Sequence, residues 1–349
     1  MSTADARLQI LRDWLTVDLR WPLERLEPAS ADASFRRYFR AWRADGATRV
    51  VMDAPPERED IGPYLKVGRL LEGCGVHVPR VDAVDEARGL ILLEDLGGSH
   101  LLARLNDGGD ADALYGDALA ALLRIQRHSA PLLRELAPYD RDALEREMRL
   151  LPEWFCARHL RLAPDAGRDA LLATTMDFLV REIGQQPRVL VHRDYHSRNL
   201  MVLPQGGPGV LDFQDALAGP VAYDLVSLLK DCYIGWPRER VQRWVSSYRT
   251  SLRGTGLDGS DDAQFLRWFD LTGLQRHLKV LGIFARLWYR DGKSGYLADL
   301  PLTLEYVRDT ARRYDELRTF CAWVEAVLVP GLPPANAREL RGAAAGSAA

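Results

Sequence analysis

Lysine is scarce in this chain of 349 residues. Only four of its 46 basic residues are lysines, and the rest are arginines. The basic residues are interleaved with 49 acidic ones, and the formal net charge is −3. A protein that binds nucleic acid through electrostatics needs a patch or stripe of positive charge. The sequence therefore predicts no nucleic-acid partner.

Cysteine and long apolar runs are scarce as well. The four cysteines are far apart and show no CxxC spacing, which favours free thiols in a reducing compartment. No apolar run approaches the ~20 residues of a membrane span. The N-terminal stretch MSTADARLQILRDWL carries charged residues throughout, unlike the apolar region of a signal peptide. We expect a cytoplasmic protein that does not bind membranes.

The spacing of apolar residues predicts a small β-rich lobe at the N-terminus. DARLQILRDWL has helical periodicity. A hairpin signal follows, in which alternating segments flank Asp45-Gly46. DIGPYLKVGRLLEG predicts a helix, and VPRVDAVDEARGLILLED predicts a second hairpin. We expect this lobe to span residues 1–97.

Helical patterns dominate the rest of the chain. They cover roughly residues 112–129, 140–160 and 165–184, and they resume at Tyr223. Two short strands interrupt them near residues 190–212. We expect a helical lobe over residues 98–335, and a disordered tail of small and polar residues over 336–349. The predicted fold class is thus α+β, with an antiparallel sheet in the small lobe.

The segment VHRDYHSRNLMVL places polar and charged residues between two apolar flanks, which indicates a site. Asp194 and Asn199 lie five residues apart in H-x-D-x-x-x-x-N, and Asp212 follows in VLDFQ. The turn PQGGPG predicts a hairpin that brings Asn199 and Asp212 together. Their oxygens suit Mg²⁺, and Asp194 is placed to accept a proton from a hydroxyl. This is the arrangement used for phosphoryl transfer from ATP; the alternative is a polar loop with a capping aspartate.

These motifs, with LILLEDLGG and GVLDFQDALAGPVAYDLVSLL, resemble the aminoglycoside phosphotransferase family. The resemblance implies a bilobal protein-kinase-like fold and the cofactors ATP and Mg²⁺. It also implies that Glu94, Asp95 and Leu96 form the hinge that binds adenine. DASFRRYFR, VVMDAPP and HRDYHSRNLM are most similar to the branch that phosphorylates the anomeric hydroxyl of N-acetylmuramate and N-acetylglucosamine in bacterial peptidoglycan recycling.

One feature departs from the kinase pattern, because the third strand, RVVMDAPP, has no lysine to bind the phosphates. Arg36, Arg37 and Arg40 are the candidate substitutes, since guanidinium groups bind phosphate well. They are equally compatible with solvated positions on an exposed hairpin. Ser34 is a candidate substitute for the missing glycine-rich loop.

Other residues have both a functional and a structural interpretation. The candidates for contacts to the sugar are Glu153, Trp154, His196, Arg198, Asp215 and Tyr233. Trp154 and Tyr233 are also compatible with core positions, and the polar residues with ordinary loop hydrogen bonds. His192 and Asp224 are expected to support the catalytic loop rather than to react.

The resulting prediction is a monomeric small-molecule kinase of amino sugars. Two alternatives remain open at this stage. One is a kinase of another small alcohol, such as an aminoglycoside, a choline-like amine or an amino-acid alcohol. The other is a degenerate kinase fold that only binds nucleotide.

Overall fold

A computed structural model describes residues 3–30, 35–204 and 206–346. The chain forms two compact units. Unit 1 comprises Met1–Asp107 and Asn199–Asp215, and unit 2 comprises Gly108–Arg198 and Ala216–Ala349. This division differs from the predicted one, which placed the boundary at residue 97 and the whole catalytic segment in the second lobe. The chain instead leaves unit 2 after Arg198 and returns to it at Ala216.

Unit 1 is built on a five-stranded antiparallel sheet with the order β1-β2-β3-β5-β4. Both predicted hairpins are present, and Gly46 adopts the positive φ of 82° that the first turn requires. The strands are β1 Leu23–Ser30, β2 Arg37–Arg43, β3 Thr48–Asp53, β4 Val81–Asp85 and β5 Leu90–Glu94.

The leading helix α1, Thr3–Asp13, continues into a π-helical turn, Trp14–Asp18. Leu11 of α1 and Trp14 and Leu15 of the turn are buried against one face of the sheet. That face presents Phe39 and Ala41 of β2, because alternate residues of a strand point to the same side. The predicted amphipathic helix therefore covers one side of the sheet.

The remaining elements of unit 1 are α2 Gly62–Gly73, α3 Leu101–Asn106 and a short hairpin. This hairpin pairs β7, Leu200–Val202, with β8, Pro208–Val210. The backbone N–H of Val202 donates to Ser99, and that of Val210 donates to His77. These two hydrogen bonds attach the hairpin to the N-terminal part of the chain.

Unit 2 is mostly helical and contains one pair of antiparallel strands, β6 Arg188–Val191 and β9 Leu217–Pro220. Its first helices are α4 Ala111–His128, α5 Arg141–Met148, α6 Ala166–Ile183, α7 Tyr223–Leu229 and α8 Arg238–Ser251. The later ones are α9 Asp262–Asp291, α10 Leu300–Ala311, α11 Arg318–Trp323 and α12 Val329–Gly346. A π-helical segment, Leu151–His159, follows α5.

Helix α9 forms the centre of unit 2. It has 30 residues, begins with an Asp261 cap that accepts from the N–H of Gln264, and ends at Gly292 with φ 68°. It packs against α5, α6, α7, α10 and the π-helical segment. At Gly282 a Cβ atom would lie 2.3 Å from the backbone of Leu150, so only glycine permits this close approach. Most of α9 is consequently buried, including several charged side chains.

The predicted disorder of residues 336–349 is wrong for the described part of that segment, because α12 continues to Gly346. Asn336 Nδ2 donates to the carbonyl of Leu297 at 3.0 Å, and Trp288 Nε1 donates to Glu339 at 3.1 Å. Alanine, which is frequent here, is also the best helix former. Residues 347–349 lie outside the described ranges. Over those ranges, no helix combines the length and hydrophobicity that a bilayer span needs.

Candidate active site

The hairpin of β7 and β8 brings Asn199 and Asp212 together, as the sequence predicted. Asn199 Nδ2 lies 3.4 Å from Asp212 Oδ2, and the backbone N–H of Leu211 donates to the carbonyl of Asn199 at 2.9 Å. Asp212 adopts a left-handed φ of 58°, which is uncommon for a residue with a side chain. Turning the Asn199 amide about its last bond presents its oxygen beside the carboxylate. This donor set fits Mg²⁺, which takes one or two protein oxygens together with phosphate and water.

Neighbouring side chains fix the turn that carries Asp212. Gln214 Nε2 donates to Asp212 Oδ1 at 2.8 Å, and Arg36 Nη2 lies 3.8 Å from the same oxygen. The buried Phe213 ring packs on Tyr64 of α2, with 4.7 Å between the ring centroids. Gly68 of α2 leaves the space for this ring. The metal-binding candidate is therefore anchored to α2 as well as to the hairpin.

Asp224 holds the start of the loop that carries Asp194 in unit 2. Its carboxylate accepts the backbone N–H of His192 at 2.6 Å and that of Arg193 at 3.0 Å. Arg193 has φ 77°, so the chain bends sharply where β6 ends. The N–H of Asp194 then donates to His192 Nδ1 at 3.2 Å. These bonds fix the backbone before Asp194; that His192 and Asp224 support catalysis without reacting stays a prediction.

Positive charges surround Asp194. Burial alone raises the pKa of a carboxyl group, but nearby positive charge, above all that of Lys279, outweighs it and lowers the pKa of Asp194 to about 2. Lys279 is itself held in place, because its Nζ lies 3.0 Å from Glu147 Oε1 and 3.1 Å from Tyr223 Oη. Asp194 is therefore an ionised carboxylate at neutral pH, as a proton acceptor must be.

Asp194 lines a cavity of about 210 Å³ in unit 2. Residues of α9 form one wall at helical spacing, from Arg276 and Lys279 to Leu287. This wall is cationic near the beginning of the stretch and apolar further along. The other lining residues are His196, Asp231, Cys232, Tyr233, Val280, Ile283, Phe284 and Tyr296. Charged groups beside apolar and aromatic surface suit a small polar molecule with a hydrocarbon face.

Asp231 holds the loop that borders this cavity. One of its oxygens accepts the N–H of Ser197 at 2.9 Å, and the other accepts the N–H of Tyr233 at 3.0 Å. The Arg198 guanidinium lies 3.5 Å from the centre of the Tyr233 ring. The same guanidinium is 3.9 Å from Asp299. The loop that carries Ser197 and Arg198 therefore contacts Tyr233, an aromatic residue of the cavity lining.

Comparison with known proteins identifies the chain at the level of its family. The sequence model of the phosphotransferase enzyme family, APH, matches residues 25–266. The chain belongs to this family. It is therefore a phosphotransferase, and the predicted family resemblance is confirmed.

Two relatives illustrate how closely other members of the APH family resemble it. The N-acetylmuramate/N-acetylglucosamine kinase of Pseudomonas aeruginosa is 46% identical over 325 residues, which cover 90% of this chain and 94% of that protein. The kinase of the same name from Neisseria meningitidis is 46% identical over 293 residues, covering 83% and 86%.

Solved structures confirm the predicted kinase-like fold. A choline kinase from Streptococcus pneumoniae superposes with a TM-score of 0.61 over 86% of this chain and 99% of its own, at 11% identity. An ADP-bound aminoglycoside phosphotransferase gives 0.57 over 84% and 97%, at 15% identity. At these identities the likeness concerns the fold alone.

Only some of the residues predicted to contact substrate lie at the cavity of this APH-family protein. His196 and Tyr233 line it, and Arg198 stacks on Tyr233. Glu153 is exposed, and Trp154 packs under Arg158 at 5.3 Å, because the π-helical segment turns Leu151 and Phe155 towards the core. The structure therefore does not bring Glu153 or Trp154 into the cavity. Asp215 is exposed at the end of unit 1.

The candidate phosphate-binding arginines differ in their surroundings. Arg37 lies on the sheet face covered by α1, where it shares Asp53 with Arg7; both Nε atoms are 3.0 Å from the carboxylate. Arg40 forms a two-point ion pair with Asp95, at 2.7 and 3.0 Å, and donates to the carbonyl of Gly97. Both positions favour a structural role over the predicted phosphate contact. Of these three arginines, Arg36 is the one that lies beside Asp212.

The predicted adenine hinge is also partly engaged within the protein. The N–H of Glu94 donates to the carbonyl of Arg80 at 2.9 Å, and its carboxylate lies 3.1 Å from His77 Nε2. The Asp95 carboxylate is used by Arg40 and by the N–H of Gly97. Leu96 is half-buried, as Glu94 and Asp95 are. Ser34 lies outside the described residues.

Sequence reasoning missed the charged residues that α9 contributes. Arg276, Lys279 and Asp231 line the cavity, and Glu147 pairs with both Lys279 and Arg193. One signal was present in QRHLKVLGIF, where two cations interrupt a helix that is otherwise apolar enough to be buried. Charged residues on such a helix indicate a buried ion pair or a ligand site.

Proposed function

We propose that this phosphotransferase transfers the γ-phosphoryl group of ATP to the C1 hydroxyl of N-acetylmuramate and N-acetylglucosamine. The observation that carries the proposal is the cavity, which combines an ionised Asp194 with aromatic, apolar and cationic lining. The names of relatives that are 46% identical over most of the chain support the choice of sugar. The proposal includes a cytoplasmic, monomeric enzyme that serves peptidoglycan recycling.

In the proposed reaction, Asp194 orients the sugar hydroxyl and takes its proton. The hydroxyl oxygen forms a bond to the γ-phosphorus, the bond from that phosphorus to the bridging oxygen breaks, and ADP leaves. An anomeric hydroxyl is more acidic than an ordinary alcohol, so a carboxylate is a sufficient base. Most of the rate enhancement then comes from positioning and from neutralising charge.

The residues of unit 1 are proposed to hold the nucleotide. Asn199 and Asp212 would hold Mg²⁺, which supplies charge neutralisation on the phosphates when it is bound. Arg36 is the proposed phosphate contact, in place of the missing third-strand lysine. Backbone groups at Leu96 are proposed to bind adenine. In unit 2, His196, Arg198 and Tyr233 are proposed to contact the sugar.

The alternative substrates suit the cavity less well. A choline-like amine or an aminoglycoside is a cation, and it would meet Arg276 and Lys279 beside the proton acceptor. N-acetylmuramate is an anion, and N-acetylglucosamine is neutral. A protein that only binds nucleotide has no need of an ionised Asp194 facing a cavity in addition to the Asn199–Asp212 pair.

A substrate panel tests the proposal. ADP release from MgATP is measured with N-acetylmuramate, N-acetylglucosamine, glucose, kanamycin, choline and homoserine, and NMR locates the phosphate on any product. We expect turnover of the two N-acetyl sugars only, with the phosphate on C1. Turnover of an amine, or phosphate on another hydroxyl, contradicts the proposal.

The metal assignment has its own test in Asp212→Ala. Loss of a metal-binding carboxylate should weaken Mg²⁺-dependent ADP binding by about ten- to hundredfold, since charge-assisted contacts contribute ~1.5–3 kcal/mol. Isothermal titration with and without Mg²⁺ measures this. Asp215→Ala is the matched control, because the same residue type stands three positions away at an exposed site. Equal effects of the two substitutions would contradict the assignment.

A further inference from the structure

Arg276 is a buried cation whose hydrogen-bonding capacity is only partly used. Its side chain is on α9 and lines the cavity, yet the residue is only 4% exposed. One guanidinium nitrogen lies 3.8 Å from the sulfur of Cys232, which is a weak acceptor. Its Nε has no hydrogen-bond partner, although the charges of Asp194 and Asp231 act on this guanidinium. Those charges offset part of the cost of burying Arg276, and a ligand that accepts a hydrogen bond from Nε would lower that cost further.

The other charged residues of the cavity are already engaged. Lys279 is held by Glu147 and Tyr223, and Asp231 accepts hydrogen bonds from Ser197 and Tyr233. The Nε of Arg276 is therefore a charged donor of this cavity that remains available to a ligand. A guanidinium group matches the geometry of a carboxylate, to which it can donate two parallel hydrogen bonds.

The side chains around Arg276 favour an anion that carries an apolar group beside its charge. One turn further along α9, Val280 lines the same cavity, and Ile283 and Phe284 continue the apolar wall. A lactyl group carries a methyl group next to its carboxylate, so it presents an anion and an apolar surface together. N-acetylmuramate differs from N-acetylglucosamine by this lactyl ether alone.

We infer that Arg276 binds the lactyl carboxylate of N-acetylmuramate and thereby sets the preference between the two sugars. This inference rests on the proposed function and deepens it by assigning a carboxylate subsite. Arg276 contributes binding energy to the acidic sugar, and it makes no corresponding contact with N-acetylglucosamine.

The first experiment compares kcat/KM for both sugars in the wild type, Arg276→Gln and Arg276→Lys. Loss of a charge-assisted contact should lower kcat/KM for N-acetylmuramate by about ten- to hundredfold in Arg276→Gln. The value for N-acetylglucosamine should fall less, so the ratio of the two values should drop by about tenfold or more. Any effect of Arg276 on the pKa of Asp194 is common to both sugars and cancels in this ratio. Arg276→Lys keeps the charge but not the two-point geometry, so its effect should lie in between.

Arg267→Gln is the matched control. It removes an arginine from the same helix, but that arginine pairs with Glu182 and Glu316 and does not line the cavity. Both kcat/KM values should stay near the wild type. A change in the ratio of the two sugars in this control would show that α9 transmits the effect without a carboxylate contact, and would overturn the inference.

A second test changes the substrate instead of the protein, and its main measurement uses the wild type alone. The carboxamide of N-acetylmuramate has nearly the same shape and no charge. The wild type should prefer the carboxylate by about the factor lost in Arg276→Gln, and Arg276→Gln should lose that preference. If Arg276→Gln does not fold, equal kcat/KM for the acid and the amide in the wild type still overturns the inference.

The outcomes separate this inference from the proposed function. A wild type that phosphorylates neither sugar refutes the proposed function before any variant is measured. A wild type that phosphorylates both, with Arg276→Gln losing both equally, leaves the function intact and refutes the carboxylate subsite. In that case Arg276 acts on Asp194 or on the transferring phosphoryl group, which are common to both reactions.

Discussion

Two aspartates of unit 2 have opposite electrostatic surroundings. Asp194 faces the cavity, and its pKa is lowered to about 2 because Lys279 and other cations outweigh the effect of burial. Asp224 is completely buried behind the same loop, and burial raises its pKa to about 6 although it accepts two backbone N–H groups. The comparison shows that neighbouring charge, rather than depth alone, decides in which direction the pKa of a buried carboxyl group moves. We assign the chemistry to Asp194 and the support of the loop to Asp224.

The largest expected effect is that of Asp194→Asn, which removes the proposed proton acceptor and preserves the shape of the side chain. Turnover should fall by about 10²–10⁴-fold, the usual contribution of a general base. Binding of MgADP should be nearly unchanged. Steady-state kinetics and isothermal titration measure the two quantities. Intact turnover would remove Asp194 from the mechanism.

The pH dependence of kcat/KM in the wild type also tests the assignment of Asp194 as the proton acceptor. Because the pKa of Asp194 is lowered to about 2, its carboxylate stays ionised over the whole range from about pH 5 to 8. Protonation of Asp194 should therefore produce no acid limb in kcat/KM over this range.

Lys279→Met changes the charge beside Asp194 without touching its carboxylate. The pKa of Asp194 should rise, since the largest of the charges that lower it is gone and burial then counts for more. An acid limb should appear in kcat/KM at higher pH than in the wild type.

The variant should remain folded. Glu147 keeps Arg193 as a partner, so the free energy of unfolding should fall by only about 1–3 kcal/mol. Lys293→Met, which lies outside the cavity lining, is the control. An unshifted profile would show that Lys279 does not control Asp194.

Asp224→Asn tests the raised pKa of Asp224 by its effect on the free energy of unfolding. A carboxyl group whose folded pKa is about 6 and whose unfolded pKa is about 3.9 binds more protons in the folded state. Its contribution to stability is present below about pH 4 and is lost as the pH rises through 6. The effect is about 3 kcal/mol at most.

Chemical denaturation of Asp224→Asn at pH 5 and pH 7 measures this contribution. The wild type should lose more stability than the variant between the two pH values, and the difference isolates Asp224 from other titrating groups. Turnover should also fall, by about tenfold, because an amide has one oxygen for two N–H groups. An identical pH dependence in both proteins would contradict the raised pKa.

Contacts between residues close in the sequence could be predicted from it, whereas contacts between residues far apart in the sequence could not. The pairing of Asn199 with Asp212 follows from two short strands and a turn within one segment, so it could be predicted. The cations beside Asp194 come from α9, about 80 residues later, and no local pattern relates the two. The pairing of Arg40 with Asp95 also joins residues far apart, on β2 and just after β5. Sequence alone therefore identified arginines as candidates without showing that carboxylates already hold them.

The smallest expected effect concerns a third carboxylate, Glu153, which the sequence suggested as a sugar ligand. Unlike Asp194 and Asp224 it is exposed, on a π-helical segment whose Leu151 and Phe155 are buried. Glu153→Gln should leave kcat/KM for both sugars near the wild type, and should change the free energy of unfolding by less than about 0.5 kcal/mol. A selective loss of sugar turnover, with nucleotide binding unchanged, would instead place Glu153 at the substrate. The cavity beside Asp194 would then not be the whole sugar site.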